Sequence, residues 1–289
     1  MDLPRHCRPP FPWALGSVLT VATLASCAPG AEAQPLGGPQ SITGSAGAIY
    51  VDDGGGTEGL PVLFLHSFGG DSGHWASQLS HLRHHRRALA MDLRGHGKSA
   101  APRNGDYSVP AMAKDIDAVI DALKLKRVVL VGHSMGGAVA IAYAGARPGR
   151  VAGLVLVGAP GRTSPEQSRP IVQAIEASYD ETMKGYWEKL LDGAQPHVRT
   201  QLLSQMDSVP QEASLAIVKA LFQYDPLPAL DRYPGPKLVI FTPQGDTPND
   251  LQNLRPQLLR RSMEGTSHWP HLDRPAEFNQ ILDEFLAQL

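Results

Sequence analysis

The segment Val131-Gly132-His133-Ser134-Met135-Gly136-Gly137 holds the residues best suited to covalent chemistry. It joins the apolar run Arg127–Val131 to an alanine-rich stretch at 135–146. A serine in Gly-x-Ser-x-Gly between a strand and a helix sits on a sharp, strained turn. Gly132 and Gly136 lack a Cβ, so the two segments can approach closely. The turn would lift Ser134 Oγ clear of a sheet and set it at a helix N-terminus, where partial positive charge favours a developing oxyanion. Serine is a poor nucleophile at neutral pH and needs a base titrating near 7, for which histidine is suited. The chain has 11 histidines, so most of them do something else. Gly265-Thr266-Ser267 can form a turn that presents His268, and His271 is a second candidate.

Three more motifs occur in order: His66-Ser67-Phe68-Gly69-Gly70, Asp92-Leu93-Arg94-Gly95-His96-Gly97-Lys98-Ser99 and Thr266-Ser267-His268-Trp269-Pro270. With the serine elbow they give the chain a resemblance to the α/β-hydrolase family over nearly all of residues 48–289. The resemblance implies His268 as general base and Asp246, in the loop after Lys237–Phe241, as the acid orienting it. Asp250 and Asp225 are alternatives for that acid, although Asp225-Pro226 reads as a turn. The order Ser…Asp…His is the one this fold requires. The resemblance also assigns two oxyanion-hole N–H groups, those of Met135 and Phe68. Where the family usually has glycine after the first histidine, this chain has Ser67, whose Cβ narrows the loop or whose hydroxyl faces the site. Asp92 is expected to anchor its own loop rather than to act in catalysis, with Arg94 and His96 in the same supporting role.

These residues need a scaffold. Continuous apolar runs at 61–65, 127–131, 151–157 and 237–241 read as strands buried on both faces of a parallel sheet. Shorter strands are expected at 48–51, 87–91 and 258–263, and Asp52–Gly59 as a glycine-rich turn. Helical patterns fall at 73–83, 108–123, 135–146 and 275–288; Ser108 is a candidate N-cap. This alternation predicts an α/β fold, a mostly parallel central sheet wrapped by helices. From about 161 to 231 only helical patterns occur, around 165–179, 181–192, 197–207 and 211–223. They predict an all-helical lid over a site at the strand C-termini. Its Tyr179, Met183, Tyr186, Trp187, Leu221, Phe222 and Tyr224 could line a pocket or simply pack the helices together.

The expected chemistry is ester hydrolysis: Ser134 attacks a carbonyl, His268 relays the proton, and water resolves the acyl-enzyme. The substrate is expected to be a small or medium organic ester. The same residues could serve a carbon–carbon bond hydrolase, a lactonase, an amidase or a cofactor-free perhydrolase. The serine excludes the dehalogenase and epoxide-hydrolase branches, which the resemblance associates with an aspartate nucleophile. A non-catalytic envelope binding protein that kept the fold is a further reading, and the intact triad speaks against it. No metal, nucleotide or redox cofactor is implied. His81, His84 and His85 lack a third ligand nearby and read as a solvated face. A net charge of -2 offers no field for nucleic acid. Oligomeric state is unreadable.

The N-terminus reads as an export signal. Arg5 and Arg8 precede an apolar stretch, Phe11 to Ala25, too short to span a bilayer comfortably. Leu24-Ala25-Ser26-Cys27 resembles the lipobox of bacterial lipoproteins, which implies residues 1–27 as signal peptide, Cys27 as the lipidated residue and a place in the bacterial cell envelope. Ala31-Glu32-Ala33 is a competing site for ordinary cleavage, which would leave a secreted or periplasmic protein. Residues 28–40 read as a flexible tether and 41–289 as the hydrolase domain. Cys7 and Cys27 are the sole cysteines, so the domain has neither a disulfide nor a thiol nucleophile.

Overall fold

The computed structural model describes residues 37–289 except 244 and 245. The expected signal peptide, Cys27 and most of the tether lie outside the described residues. Eight strands form one sheet: β1 (Gln40–Thr43), β2 (Ala48–Gly55), β3 (Val62–Leu65), β4 (Arg87–Met91), β5 (Val128–His133), β6 (Val151–Val157), β7 (Lys237–Phe241) and β8 (Leu259–Ser262). Their spatial order is β1-β2-β4-β3-β5-β6-β7-β8. β2 is antiparallel to β1 and β4, and every other pairing is parallel. β1 is an additional strand, and β2 runs four residues beyond the expected 48–51. Asp52 to Gly55 pair with Ala90 to Arg87 instead of turning. Arg83 and Arg87 hold that extension by ion pairs to Asp52 (2.8 Å) and Asp53 (2.6 Å).

The helices around the sheet are α1 (Ala76–Leu82), α2 (Val109–Ala122), α3 (Met135–Ala146), α9 (Leu251–Leu254), α10 (Pro270–Asp273) and α11 (Pro275–Leu286). Inserted between β6 and β7 are α4 (Pro165–Ala177), α5 (Tyr179–Leu190), α6 (Pro196–Gln205), α7 (Gln211–Gln223) and α8 (Leu227–Arg232). α8 adds a fifth helix to the four expected there. None of the described helices is long and apolar enough to cross a membrane.

The period of two along each strand sorts the core onto two faces. Leu63, Leu65, Leu130, Leu154 and Leu156 pack with Met112, Ile116 and Ile141 of α2 and α3. Val62, Phe64, Val131, Val155 and Ile240 pack on the other face with Trp75, Leu79 and Phe278. α3 is buried nearly all round, against sheet, α2 and α8, which explains its alanines: small side chains let three neighbours close on one helix. Ser108 caps α2, accepting from Ala111 N (3.3 Å). A third cluster, with Ile175, Met183, Trp187, Val198 and Leu202, unites the insertion with Trp269 of the His268 loop.

Candidate active site

Ser134 lies between β5 and α3 with φ 50° and ψ -115°, a left-handed backbone that a non-glycine residue adopts only when its surroundings force it. Its N–H donates to Val157 O on the neighbouring strand (2.8 Å), and its carbonyl accepts from Gly137 N (2.9 Å). A Cβ on Gly136 would come within 2.5 Å of Leu65 O and 2.6 Å of His66 O, and one on Gly132 would strike the Gly136 carbonyl. The glycines therefore set how closely the elbow packs on β3 and its following loop.

Ser134 is half-buried and opens into a cavity of about 380 Å³. Phe68, Met135, Ile175, Met183 and Val218 give it an apolar wall, and Thr247 and Asp250 add polar atoms. Burial raises the Asp250 carboxyl above its usual range, although Thr247 N donates to it (2.6 Å). The N–H groups of Phe68 and Met135, both residues at the cavity, are engaged in no hydrogen bond among the described residues. Two free donors beside a nucleophile can stabilise a tetrahedral oxyanion.

Ser134 and His268 also line one small void of about 10 Å³, close to the space one water needs. His268 Nε2 is shielded from solvent and lacks a hydrogen-bond partner, and burial lowers its pKa to about 4. The ring lies against Gly158, whose φ is +50°; a Cβ there would stand 3.0 Å from His268 Cε1. The His268 loop is tied down on several sides. His268 N donates to Leu190 O at the end of α5 (3.0 Å). Asp273 accepts from Ser267 N (2.7 Å) and Ser267 Oγ (2.6 Å) with one oxygen, and from Gln195 N (2.8 Å) with the other. Trp269 stacks on Trp187 of α5, centroids 5.4 Å apart, and its Nε1 donates to Ser67 Oγ (3.3 Å). That bond answers the question raised by Ser67: its hydroxyl joins the loop of Phe68 to the loop of His268.

Asp246 is exposed, and its Oδ1 accepts from Gln252 Nε2 (2.7 Å) and Asn253 Nδ2 (2.6 Å). It makes no hydrogen bond to His268, and no carboxylate perturbs the His268 ring. The structure thus brings Ser134, His268 and the Phe68 and Met135 amides together and leaves Asp246 apart. Asp250 ends at the cavity beside α9, and Asp225 accepts from Leu227 N at the start of α8 (2.9 Å). His271 is fully buried and stacked on Trp75 at 4.2 Å, away from the cavity.

The remaining motif residues hold the loops. Asp92 accepts from Ser72 N (2.6 Å) and Lys98 N (2.8 Å). Arg94 forms a buried ion pair with Asp115 (2.7 Å) and donates to Asp106 O, Ser45 Oγ and Ala111 O. His66 Nε2 accepts from Leu93 N (2.8 Å) while its Nδ1–H donates to Ser67 O (2.7 Å). His133 donates from Nε2 to His268 O (2.8 Å). Burial lowers the pKa values of His66 and His96 to about 3 and pushes His133 and His271 well below 6.5. The roles of Trp187, Leu190 and Asp273 were not legible beforehand, because their contacts join segments distant in sequence.

Comparison with known proteins agrees with this architecture. The sequence model of the alpha/beta hydrolase fold matches residues 61–216. The dihydrolipoyllysine-residue acetyltransferase component of an acetoin cleaving system from Pseudomonas putida is 42% identical over 108 residues, 37% of this chain, which spans 29% of that relative's length. A thermophilic esterase from Thermogutta terrifontis is 26% identical with a TM-score of 0.74, covering 87% of this chain and 99% of its own. An N-acyl homoserine lactone degrading enzyme is 28% identical with a TM-score of 0.72, covering 85% of this chain and 100% of its own. With the serine elbow, the strand order and the family match in agreement, the chain belongs to the α/β-hydrolase fold family.

Proposed function

We propose that the protein is a serine carboxylesterase acting on a small or medium organic ester through an acyl-enzyme on Ser134. The observation carrying this reading is that Ser134, on its strained elbow, lines both an apolar cavity and the void it shares with His268. Ser134 Oγ attacks the ester carbonyl while His268 takes its proton and passes it to the leaving alcohol. The amides of Phe68 and Met135 receive the negative charge on the carbonyl oxygen. Water then attacks the acyl-enzyme with His268 as base, releasing the acid. The helical insertion acts as a lid that walls the cavity and keeps bulk water from the intermediate. Asp246 is the acid we assign to His268. Here its Oδ1 is held by Gln252 and Asn253, and we assign its engagement with His268 to closure of the site on substrate.

A lactone is the second substrate class, supported by the likeness to the homoserine lactone degrading enzyme over its full length. Export is part of the proposal: residues 1–27 direct the chain to the cell envelope, with Cys27 as lipid anchor. The test is hydrolysis of p-nitrophenyl esters of graded acyl length by the leaderless protein and its Ser134→Ala variant. Turnover falling by several orders of magnitude in the variant is expected. Turnover surviving in Ser134→Ala, or absent from the folded wild type on every ester and lactone, would overturn the assignment.

A further inference from the structure

Helix α4 presents two different faces. Ile171 and Ile175 line the cavity at Ser134, whereas Ser168, Arg169, Val172 and Glu176 line a separate cleft of about 780 Å³ against α7. Cavity and cleft share Thr163 and Phe222 as common walls. The charged groups facing the cleft are Arg162, Arg169, Lys219, Glu176 and Asp225. Lys219 and Glu176 neutralise each other in an ion pair of 2.6 Å. The Asp225 carboxylate is engaged by Leu227 N (2.9 Å). Arg162 and Arg169 have neither an ion pair nor a side-chain hydrogen bond among the described residues; set against the Asp225 carboxylate, they leave the cleft with one net positive charge beside apolar Val172 and Phe222. Tyr224, also in the cleft, has its pKa raised by burial to about 12, so its hydroxyl stays a donor. Cations, a neutral donor and an apolar floor together fit the end of an amphiphile that carries negative charge.

We propose that this cleft is a subsite for an anionic group, carboxylate or phosphate, at the far end of the substrate's acyl chain. This rests on the esterase reading: the scissile carbonyl sits at Ser134, the chain crosses the cavity, and the anion passes Thr163 and Phe222 to meet Arg162 and Arg169. The preferred substrate is then an ω-charged ester rather than a simple fatty ester.

The test compares mono-p-nitrophenyl esters of adipic, suberic and sebacic acid with neutral p-nitrophenyl esters of equal chain length, on the wild type and on the Arg162→Ala/Arg169→Ala variant. At one chain length the double variant is expected to raise KM for the charged ester about two- to five-fold per arginine, the range of an exposed ion pair. The effect should shrink in ~0.5 M salt. kcat for both esters, and KM for the neutral one, should stay unchanged. Equal changes for charged and neutral esters, or none at any length, would overturn the subsite. Calorimetry of octyl phosphate and octanoate on Ser134→Ala protein, with and without the arginines, reads the cleft without turnover. Arginine-dependent binding supports the subsite, and the tighter ligand names the anion. If no ester is hydrolysed yet that dependence holds, the esterase reading falls and the cleft stands; if esters are hydrolysed and the arginines affect nothing, the reverse is true.

Discussion

Lowering the pH from 7.5 to 5 should unfold much of this protein's stability reserve, because its interior keeps histidines neutral. His66 and His96 are buried, 0% and 2% exposed, with ring centroids 5.1 Å apart. Their folded-state pKa values of about 3 lie below the unfolded value of 6.5. The unfolded chain therefore binds more protons, so stability is full above pH 6.5 and is lost as pH falls toward 3. At pH 5 the linkage integral gives about 2 kcal/mol for each histidine, hence about 4 kcal/mol for the pair. That result depends on the unfolded pKa and the pH alone, as long as the folded pKa stays well below 5. His133 and His271 act in the same direction. The pair alone removes a large part of a typical stability of about 5–15 kcal/mol. Urea denaturation at half-unit pH steps would measure it, after two probes are shown to give coincident transitions. Near pH 5 the slope should be at least about 2.7 kcal/mol per pH unit, one proton for each of the two rings. Replacing His96 by Asn should flatten the slope by about 1.4 kcal/mol per unit, whatever it does to absolute stability. Carboxylates titrate mostly below this window, so a flat stability between pH 7.5 and 5 would refute the argument.

Other outcomes follow from the same contacts. The acid limb of kcat reports the base in the enzyme–substrate complex, the state in which Asp246 is proposed to engage His268. Without a carboxylate partner His268 titrates at about 4, so Asp246→Asn should move the limb down toward that value relative to wild type. Identical limbs would show that Asp246 does not reach His268, and Asp250→Asn becomes the next variant to profile. Asp273→Ala strands Ser267 and Gln195 donors and should cost about 2–4 kcal/mol in denaturant unfolding while lowering kcat more than it raises KM. Gly136→Ala forces a Cβ onto two backbone carbonyls and should abolish soluble folded protein, checked by circular dichroism.

The sequence made the sheet and the elbow legible because both depend on local pattern. The apolar runs of β3, β5 and β6 are buried at every position, and Gly-x-Ser-x-Gly has one conformation that fits between strand and helix. The edge was harder to read. Asp52-Asp53-Gly54-Gly55 has poor strand propensity, and its pairing with β4 is supported by Arg83, just past α1, and Arg87 of β4, which neutralise its carboxylates. Asp246 shows a different limit. Its place after β7 was readable, but its partners depend on Gln252 and Asn253 a few residues on, whose amides compete for the carboxylate. Likewise nothing in the spacing of His133, His268 and His271 shows that the rings of His268 and His271 each lie 4.8 Å from that of His133.

Within the insertion, the hold on the catalytic loop comes from α5 and the start of α6, whereas α4 and α7 shape the cavity together with Met183 of α5 without gripping that loop. α5 and the start of α6 grip the His268 loop through Leu190 O, Gln195 N and the Trp187–Trp269 stack. α4 and α7 contribute Ile175 and Val218 to the cavity and touch no residue of that loop by hydrogen bond. Substitutions in the two parts should therefore separate kinetically. Trp187→Ala removes a fully buried indole, costs about 3–5 kcal/mol by the usual large-to-small scale, and frees Trp269 to move with His268. It should depress kcat for every ester, whatever its chain length. Val218→Phe fills part of the cavity and leaves the His268 loop anchored. It should shift the preferred acyl length downward while the best short ester keeps a wild-type kcat. If Val218→Phe instead lowered kcat uniformly and Trp187→Ala altered chain-length preference, the grip on His268 would lie in α4 and α7, and this division of the insertion would be wrong.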